Sequence, residues 1–139
     1  MKYSGLYKDC TEFNIFAYPE DNRLIDLVDK YGLSDKTNIV FCKENRFEFP
    51  AIIDLVENPM DMNLYFHTKG ITVKLKGNRP ASYIPSLAWN DYMTYFCVYC
   101  HGICRQVLQS GFSAVGVEFG KQTRPGAKYH YSGNFWWAS

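Results

Sequence analysis

Two stretches of the chain concentrate side chains that could bind and transform a polar ligand. In the first, an apolar run ends abruptly in a histidine, a hydroxyl, a cation and a glycine, which are His67, Thr68, Lys69 and Gly70. In the second, residues 130–137, polar side chains alternate with aromatic rings, and a glycine lets the backbone approach a neighbour closely. The residue types alone leave two interpretations of the second stretch open: a ligand site, or an aromatic core strand with a polar first turn.

A third motif runs from Cys97 to His101 and has the C-x-x-C-H spacing of c-type haem attachment. With Cys104 it also offers four potential zinc ligands. Haem attachment requires an exported chain, and four ligands on one helix cannot converge tetrahedrally without a second ligand-bearing element. Cys97, Cys100 and Cys104 instead repeat at the spacing of one helical face, so we predict small apolar core residues there.

Composition narrows the classes of partner. The 139 residues suffice for one domain, and 15 Lys and Arg against 14 Asp and Glu leave a net charge of +1. Such a balance gives no field to attract nucleic acid or an anionic membrane. There is no apolar run of membrane-spanning length and no secretory signal, and the 5 cysteines fit a reducing compartment, so we expect a cytoplasmic protein.

The first half of the chain alternates strand and helix patterns. An alternating segment, residues 11–18, is followed by an apolar helical face comprising Leu24, Ile25, Leu27, Val28 and Tyr31 and ended by Gly32. The pattern then repeats as a strand, a helix with proline in its first turn, and another strand, which are residues 37–42, 49–56 and 62–66.

The second half begins with a predicted basic loop, residues 68–86, that ends at Ser86 as a helix N-cap. The helix predicted next, residues 87–109, is the longest in the chain. A strand over residues 114–119 and a loop over residues 120–128 lead to the aromatic stretch at residues 130–137.

This order predicts an α/β fold with a mostly parallel, Rossmann-like sheet flanked by helices. Ligands of such sheets bind beyond the carboxyl ends of the strands, where the histidine and lysine of the first stretch would lie. Lys69 together with Lys74, Lys76 or Arg79 could neutralise a diphosphate, while Gly70 would let backbone amides approach it. A solvated loop is the alternative for these cations.

Taken in order, these motifs resemble a family of GT-A-like glycosyltransferases found in bacterial surface-polysaccharide gene clusters and in large algal viruses. The matching segments cover the chain almost end to end, and the last one is specific. They are Ser4-Gly5-Leu6-Tyr7, the pair Phe47-Glu48, residues 65–70, the helix with Trp89, Met93 and Phe96, the pair Gly116-Val117, and residues 130–137.

The resemblance implies a hexosyltransferase-like enzyme that moves a sugar from a nucleotide-diphosphate donor to a glycan or a lipid-linked acceptor, as in lipopolysaccharide synthesis. His130 and Asn134 would be catalytic, with Glu118 as an alternative base. Trp136 or Trp137 would stack on a sugar face. The donor-binding candidates are His67, Thr68, Lys69, Gly70, Arg79, Ser132, Gly133 and Trp136.

The chain departs from the family pattern in two respects. Many GT-A enzymes hold Mn²⁺ or Mg²⁺ with an Asp-x-Asp motif after a central strand, and no such motif follows a strand here. Either Lys69 and Arg79 neutralise the diphosphate, or a metal uses other ligands such as His130. The resemblance also implies that a first strand and a C-terminal extension are missing. The alternatives to a transferase are a carbohydrate-binding or interaction module and an inactive transferase fragment.

Overall fold

A computed structural model of the protein describes residues 2–67, 80–121, 126, 128–131 and 135–139. The chain divides into two compact units, Met1–Met60 and Asp61–Ser139, and each is described by itself. The sequence predicts a single domain over residues 1–139, and this stays a prediction.

The first unit contains a parallel β-α-β arrangement. Strand β1 (Phe13–Ala17) pairs in parallel with β2 (Thr37–Phe41), and helix α2 (Arg23–Lys30) connects them. Helix α2 is followed by Gly32 at a φ of +60°, the left-handed conformation that glycine adopts without steric cost. The unit also has a short helix α1 (Leu6–Asp9), preceded by a 3₁₀ turn, and helix α3 (Phe49–Glu57), in which Pro50 occupies the first turn as predicted.

Two residues join the start of the first unit to the segment that precedes β2. The Tyr7 hydroxyl contacts the Leu33 carbonyl and accepts a hydrogen bond from the Lys36 amide at 3.0 Å. The Lys36 ammonium donates to three carbonyl oxygens at the end of α1, at 2.7–3.1 Å, where a cation complements the helix dipole. The apolar face predicted for α2 is only partly buried, because Val28 is enclosed while Ile25, Leu27 and Tyr31 are exposed.

The helical part of the second unit consists of two α-helices with a π-helical turn between them. Helix α4 (Pro80–Thr94) continues into a π-helical turn (Tyr95–Tyr99), and helix α5 (His101–Gln109) follows after Cys100. The helix predicted over residues 87–109 is therefore present but interrupted. The prediction of a loop up to Ser86 is wrong over residues 80–86, where the backbone is helical and runs through Pro85. A proline in this position removes one helical hydrogen bond, which is why the sequence favoured a loop there.

The second unit has a three-stranded sheet and a separate strand pair. The sheet order is β3 (Asn63–Tyr65), β7 (Trp136–Ala138), β4 (Ala114–Gly116), and the central β7 is antiparallel to both neighbours. β3 and β4 are therefore parallel to each other, and the helices α4 and α5 lie in the connection between them. Strands β5 (Phe119–Lys121) and β6 (Tyr129–Tyr131) form an antiparallel pair.

The mixed α/β class predicted from the sequence is confirmed. Only one of the four described strand pairs is parallel, β1 with β2, so the mostly parallel, Rossmann-like sheet stays a prediction. Two of the other described pairs are antiparallel because β7 lies between β3 and β4 in the opposite direction, and the β5–β6 pair is antiparallel by itself. The strand predicted over residues 114–119 is also divided, since Glu118 has a φ of +49° and breaks the extended backbone. No described helix has the length and apolarity needed to cross a bilayer.

Candidate functional site

The two stretches that the sequence singled out meet at one end of the three-stranded sheet. Tyr65, the last residue of β3, is paired with Trp136, the first residue of β7. Because the two strands are antiparallel, the chain leaving β3 and the chain entering β7 lie at this same end of the sheet, which we call the edge. His67 and Phe135 occupy this edge, with their ring centroids 5.7 Å apart.

Five rings from the two stretches form a cluster at this edge, which we call the aromatic cluster. The Tyr65 ring stacks on His67 at 6.0 Å and lies 5.3 Å from Trp136, while Phe66 and Phe135 meet edge to face at 5.9 Å. Tyr65 and Phe135 are buried, whereas His67 and Trp136 are half-buried. The buried rings support the two that solvent or a ligand can reach. The members of the aromatic cluster are Tyr65, Phe66, His67, Phe135 and Trp136.

Strand geometry directs the side chains of the two adjacent tryptophans to opposite faces of the sheet. Successive side chains of a strand project to opposite faces, so Trp136 shares a face with Tyr65 while Trp137 projects to the other side. Trp137 is buried, and its indole Nε1 donates a hydrogen bond to the carbonyl oxygen of Cys97 at 2.9 Å. The sequence leaves open whether Trp136 or Trp137 stacks on a sugar, and the structure buries Trp137 in the core.

Gly116 allows the β5–β6 pair to reach the same edge. This glycine of β4 is paired with Trp136, and a Cβ atom added to it would lie 2.7 Å from Cδ1 of Tyr131 and 2.9 Å from the Phe135 carbonyl oxygen. Only glycine accommodates both neighbours without a shift. The ring of Tyr131 therefore lies against the sheet next to the aromatic cluster, and its burial raises the pKa of the Tyr131 hydroxyl.

His130 is on β6, immediately before Tyr131. Its Nδ1 atom is 3.1 Å from the Lys128 carbonyl oxygen, and a carbonyl can only accept, so this hydrogen bond requires a proton on Nδ1. In the neutral ring the other nitrogen, Nε2, then carries the lone pair that a general base needs. Alternation along β6 places His130 and Tyr131 on opposite faces of the strand pair. Glu118, the alternative base, is exposed.

The structure thus describes three of the predicted site residues: His67, Trp136 and His130. It brings the first two together through Tyr65 and Phe135, and it places the third beside the residue that contacts Gly116. The other candidates lie outside the described residues, and their roles stay predictions. They are Thr68, Lys69, Gly70, Arg79, Ser132, Gly133 and Asn134.

The helical cysteines are core residues. Cys97 and Cys104 are buried, Cys100 is half-buried, and all three are free thiols, as predicted. Burial raises the pKa of the Cys97 thiol to about 12 and also raises that of Cys104, so both are poor thiolate nucleophiles at neutral pH. Within the described part of the chain, no three His, Cys, Asp or Glu side chains are grouped so that they could hold a metal ion.

Sequence reasoning missed the supporting residues of this edge. The motifs contain Tyr65 and Phe135 but give no indication that each contacts His67. A glycine inside a strand pattern, such as Gly116, is a usable signal of close approach. No sequence signal indicates the bond from Trp137 to Cys97, because the two residues are 40 positions apart.

Comparison of the chain with protein-family models, with curated proteins and with solved structures gave no match. The likeness to GT-A-like glycosyltransferases therefore rests on the sequence motifs, and the function has to be inferred from the site.

Proposed function

We propose that the protein is a glycosyltransferase that moves a sugar from a nucleotide-diphosphate donor to a glycan or a lipid-linked acceptor in polysaccharide synthesis. One observation carries this proposal: the antiparallel pairing of β3 with β7 brings the stretch ending in His67 and the stretch beginning near Phe135 to one edge of the same sheet. Of the candidate site residues, the structure describes His67 and Trp136 in these two segments. A donor that stacks on a ring surface would meet His67 and Trp136 together at this end of the sheet.

In this proposal the site has a GT-A-like architecture, and it stabilises the charges that develop as the bond between the sugar and the diphosphate breaks. Positive charge develops on the sugar and negative charge on the leaving diphosphate, so cations near the phosphates contribute most to lowering the barrier. Lys69 and Arg79 have that role. The half-buried face of Trp136 packs against the apolar face of the sugar ring, and Tyr65 supports the indole from behind.

The acceptor hydroxyl must lose a proton as the new bond forms. His130 is the proposed base, since the contact of Nδ1 with the Lys128 carbonyl favours the tautomer with a lone pair on Nε2. Asn134 would orient a substrate hydroxyl. The described residues offer no three-ligand group for Mn²⁺ or Mg²⁺, so we assign no step to a metal.

A screen of UDP-, GDP- and dTDP-sugars by thermal unfolding tests the proposal. A donor present at a hundred times its dissociation constant should stabilise the protein by about 2.7 kcal/mol and raise Tm measurably. Release of the nucleoside diphosphate from the stabilising donor, followed by chromatography, would then report turnover. If none of these donors changes Tm, the transferase proposal fails.

The second candidate is a carbohydrate-binding module, and the β5–β6 pair favours it. Phe119 and Tyr129 are exposed and stack with ring centroids 5.5 Å apart and an interplanar angle of 22°, a flat surface suited to a sugar face. Neutral oligosaccharides tested in the same thermal assay separate the candidates. Binding of oligosaccharides without binding of any nucleotide sugar would favour the module.

A further inference from the structure

Hydrogen bonds connect the π-helical turn to strand β7 and to the residue that precedes it. The indole of Trp137 donates to the Cys97 carbonyl oxygen at 2.9 Å, and the Cys97 thiol lies 3.7 Å from the Phe135 carbonyl oxygen, which it contacts as a weak donor. Cys97 is only 1% exposed and Trp137 only 5% exposed, so both contacts are shielded from water. They join the π-helical turn to Phe135 and Trp137, the two residues that flank Trp136.

The irregular turn makes these contacts possible. Within it the Cys100 amide bonds the Tyr95 carbonyl, five residues back, at 2.9 Å, which widens the helix and displaces the carbonyls from their usual α-helical partners. Three successive carbonyls in the turn, those of Phe96, Cys97 and Val98, each have a side-chain partner. These partners are Cys104 Sγ, Trp137 Nε1 and His101 Nδ1.

We propose that the π-helical turn is a positioning element for the donor site, acting through Trp137 and Cys97. Fixing the Trp137 indole and the Phe135 carbonyl sets the position of Trp136 between them, and Phe135 in turn contacts His67. The turn thereby controls the gap between the chain leaving β3 and the chain entering β7. This proposal rests on the proposed function, because it assigns the turn to the donor site.

Cys97 and Cys104 form a matched pair for testing this role. Both are buried thiols of the same helical region, one in the π-helical turn and one in α5, and both contact a carbonyl oxygen through Sγ. Of the two thiols, only that of Cys97 is hydrogen-bonded to the chain entering β7, because Cys104 Sγ bonds to the Phe96 carbonyl oxygen in the π-helical turn. Cys104→Ala therefore removes a buried thiol and one contact of the turn, while both hydrogen bonds to Trp137 and Phe135 stay in place.

The experiment measures donor affinity for four forms of the full chain: wild type, Trp137→Phe, Cys97→Ala and Cys104→Ala. The probe is whichever UDP-, GDP- or dTDP-sugar most raises the Tm of the wild type, and binding is measured by calorimetry well below every Tm. We expect Trp137→Phe to weaken binding about tenfold, the equivalent of one lost hydrogen bond. Cys97→Ala should weaken it by roughly threefold, since a sulfur donor is weaker. Cys104→Ala should leave it unchanged.

A second readout needs no donor. The chain has only three histidines, so the imidazole NMR signals can be assigned with single His→Gln variants. The His67 signal should move in Cys97→Ala and stay in place in Cys104→Ala, because the ring of Phe135 lies beside it. This measurement and the affinity of Cys97→Ala remain decisive if Trp137→Phe does not fold.

The outcomes separate the two proposals. If no donor binds the wild type, the transferase proposal fails, and the positioning role fails with it. If a donor binds the wild type but Cys97→Ala binds it as tightly as Cys104→Ala does, with His67 unmoved, only the positioning role is overturned. An equal loss of affinity in both cysteine variants would also overturn the positioning role, because it would mean that the turn contributes only ordinary core packing.

Discussion

Trp136 and Trp137 are adjacent and chemically identical, and the pleat of β7 alone gives them different roles. One donates a buried hydrogen bond to the helix layer, and the other forms part of the half-buried aromatic cluster. At the scale of single residues, the chemistry proposed for the site depends on which side of a strand each side chain faces. The same alternation separates His130 from Tyr131 on β6.

His130→Asn tests the base at this scale. We expect kcat to fall by about 10²- to 10⁴-fold with donor affinity unchanged, because the histidine acts on the acceptor proton and not on the donor. Glu118→Gln is the comparison, since Glu118 is the alternative base. Steady-state kinetics of both variants with the stabilising donor make the measurement, and a larger loss in Glu118→Gln would transfer the role to the glutamate.

Lys69→Ala tests the predicted phosphate contact. A charged hydrogen bond to a diphosphate contributes about 1.5–3 kcal/mol, so donor affinity should fall more than tenfold. Lys76→Ala removes the same charge from the same basic segment and should change affinity far less. Calorimetric titration with the donor compares the two, and equal effects would argue against a dedicated contact at Lys69.

At the scale of elements, Gly116 controls how the β5–β6 pair joins the sheet. Gly116→Ala places a Cβ atom 2.7 Å from the Tyr131 ring and 2.9 Å from the Phe135 carbonyl oxygen. Overpacking of this kind should lower the free energy of unfolding by about 1–3 kcal/mol in urea denaturation. Gly120→Ala is the matched control because it adds the same methyl group to β5 with nothing within 4 Å. Equal destabilisation of both variants would contradict the close approach.

Helix α5 offers a prediction of the opposite sign. Gly102 lies in the first turn of α5, and a Cβ atom there would meet nothing within 4 Å. Alanine restricts the unfolded chain more than glycine does, so Gly102→Ala should raise the free energy of unfolding by up to about 1 kcal/mol. Urea denaturation measures it. A loss of stability would mean that the segment around the π-helical turn needs the backbone freedom of glycine.

At the scale of the molecule, burial of Cys97 couples folding to pH. Its pKa is raised to about 12, from an ordinary value of 9.0, so the unfolded chain releases this proton at lower pH than the folded chain. Stability from the protonated thiol is complete below pH 9 and is lost as the pH rises towards 12. Between pH 9 and 10 the wild type should lose about 1 kcal/mol more than Cys97→Ala in urea titrations. If the free energy of unfolding depends on pH in the same way in wild type and in Cys97→Ala, this linkage is contradicted.

The order of elements could be predicted from the sequence because it depends on near neighbours. The strands β1 to β4, the helix α3 with Pro50 in its first turn, and the glycine after α2 all follow local periodicity and turn chemistry. The start of α4 was missed because Pro80 and Pro85 favour a loop locally, while the helix there is maintained against that preference. The interruption of the long helix was missed because a π-helical turn leaves no trace in the apolar spacing.

By itself, the sequence determined the mixed α/β class, the buried cysteine face of the long helix, and the two stretches with the residue types of a ligand site. Each of these depends on residues within a few positions of one another. Only the tertiary structure decided that β7 lies between β3 and β4, that His67 and Trp136 share an edge, and that Trp137 bonds to Cys97. These contacts join segments that are distant along the chain, and their geometry follows from strand pairing and packing, which no local pattern encodes.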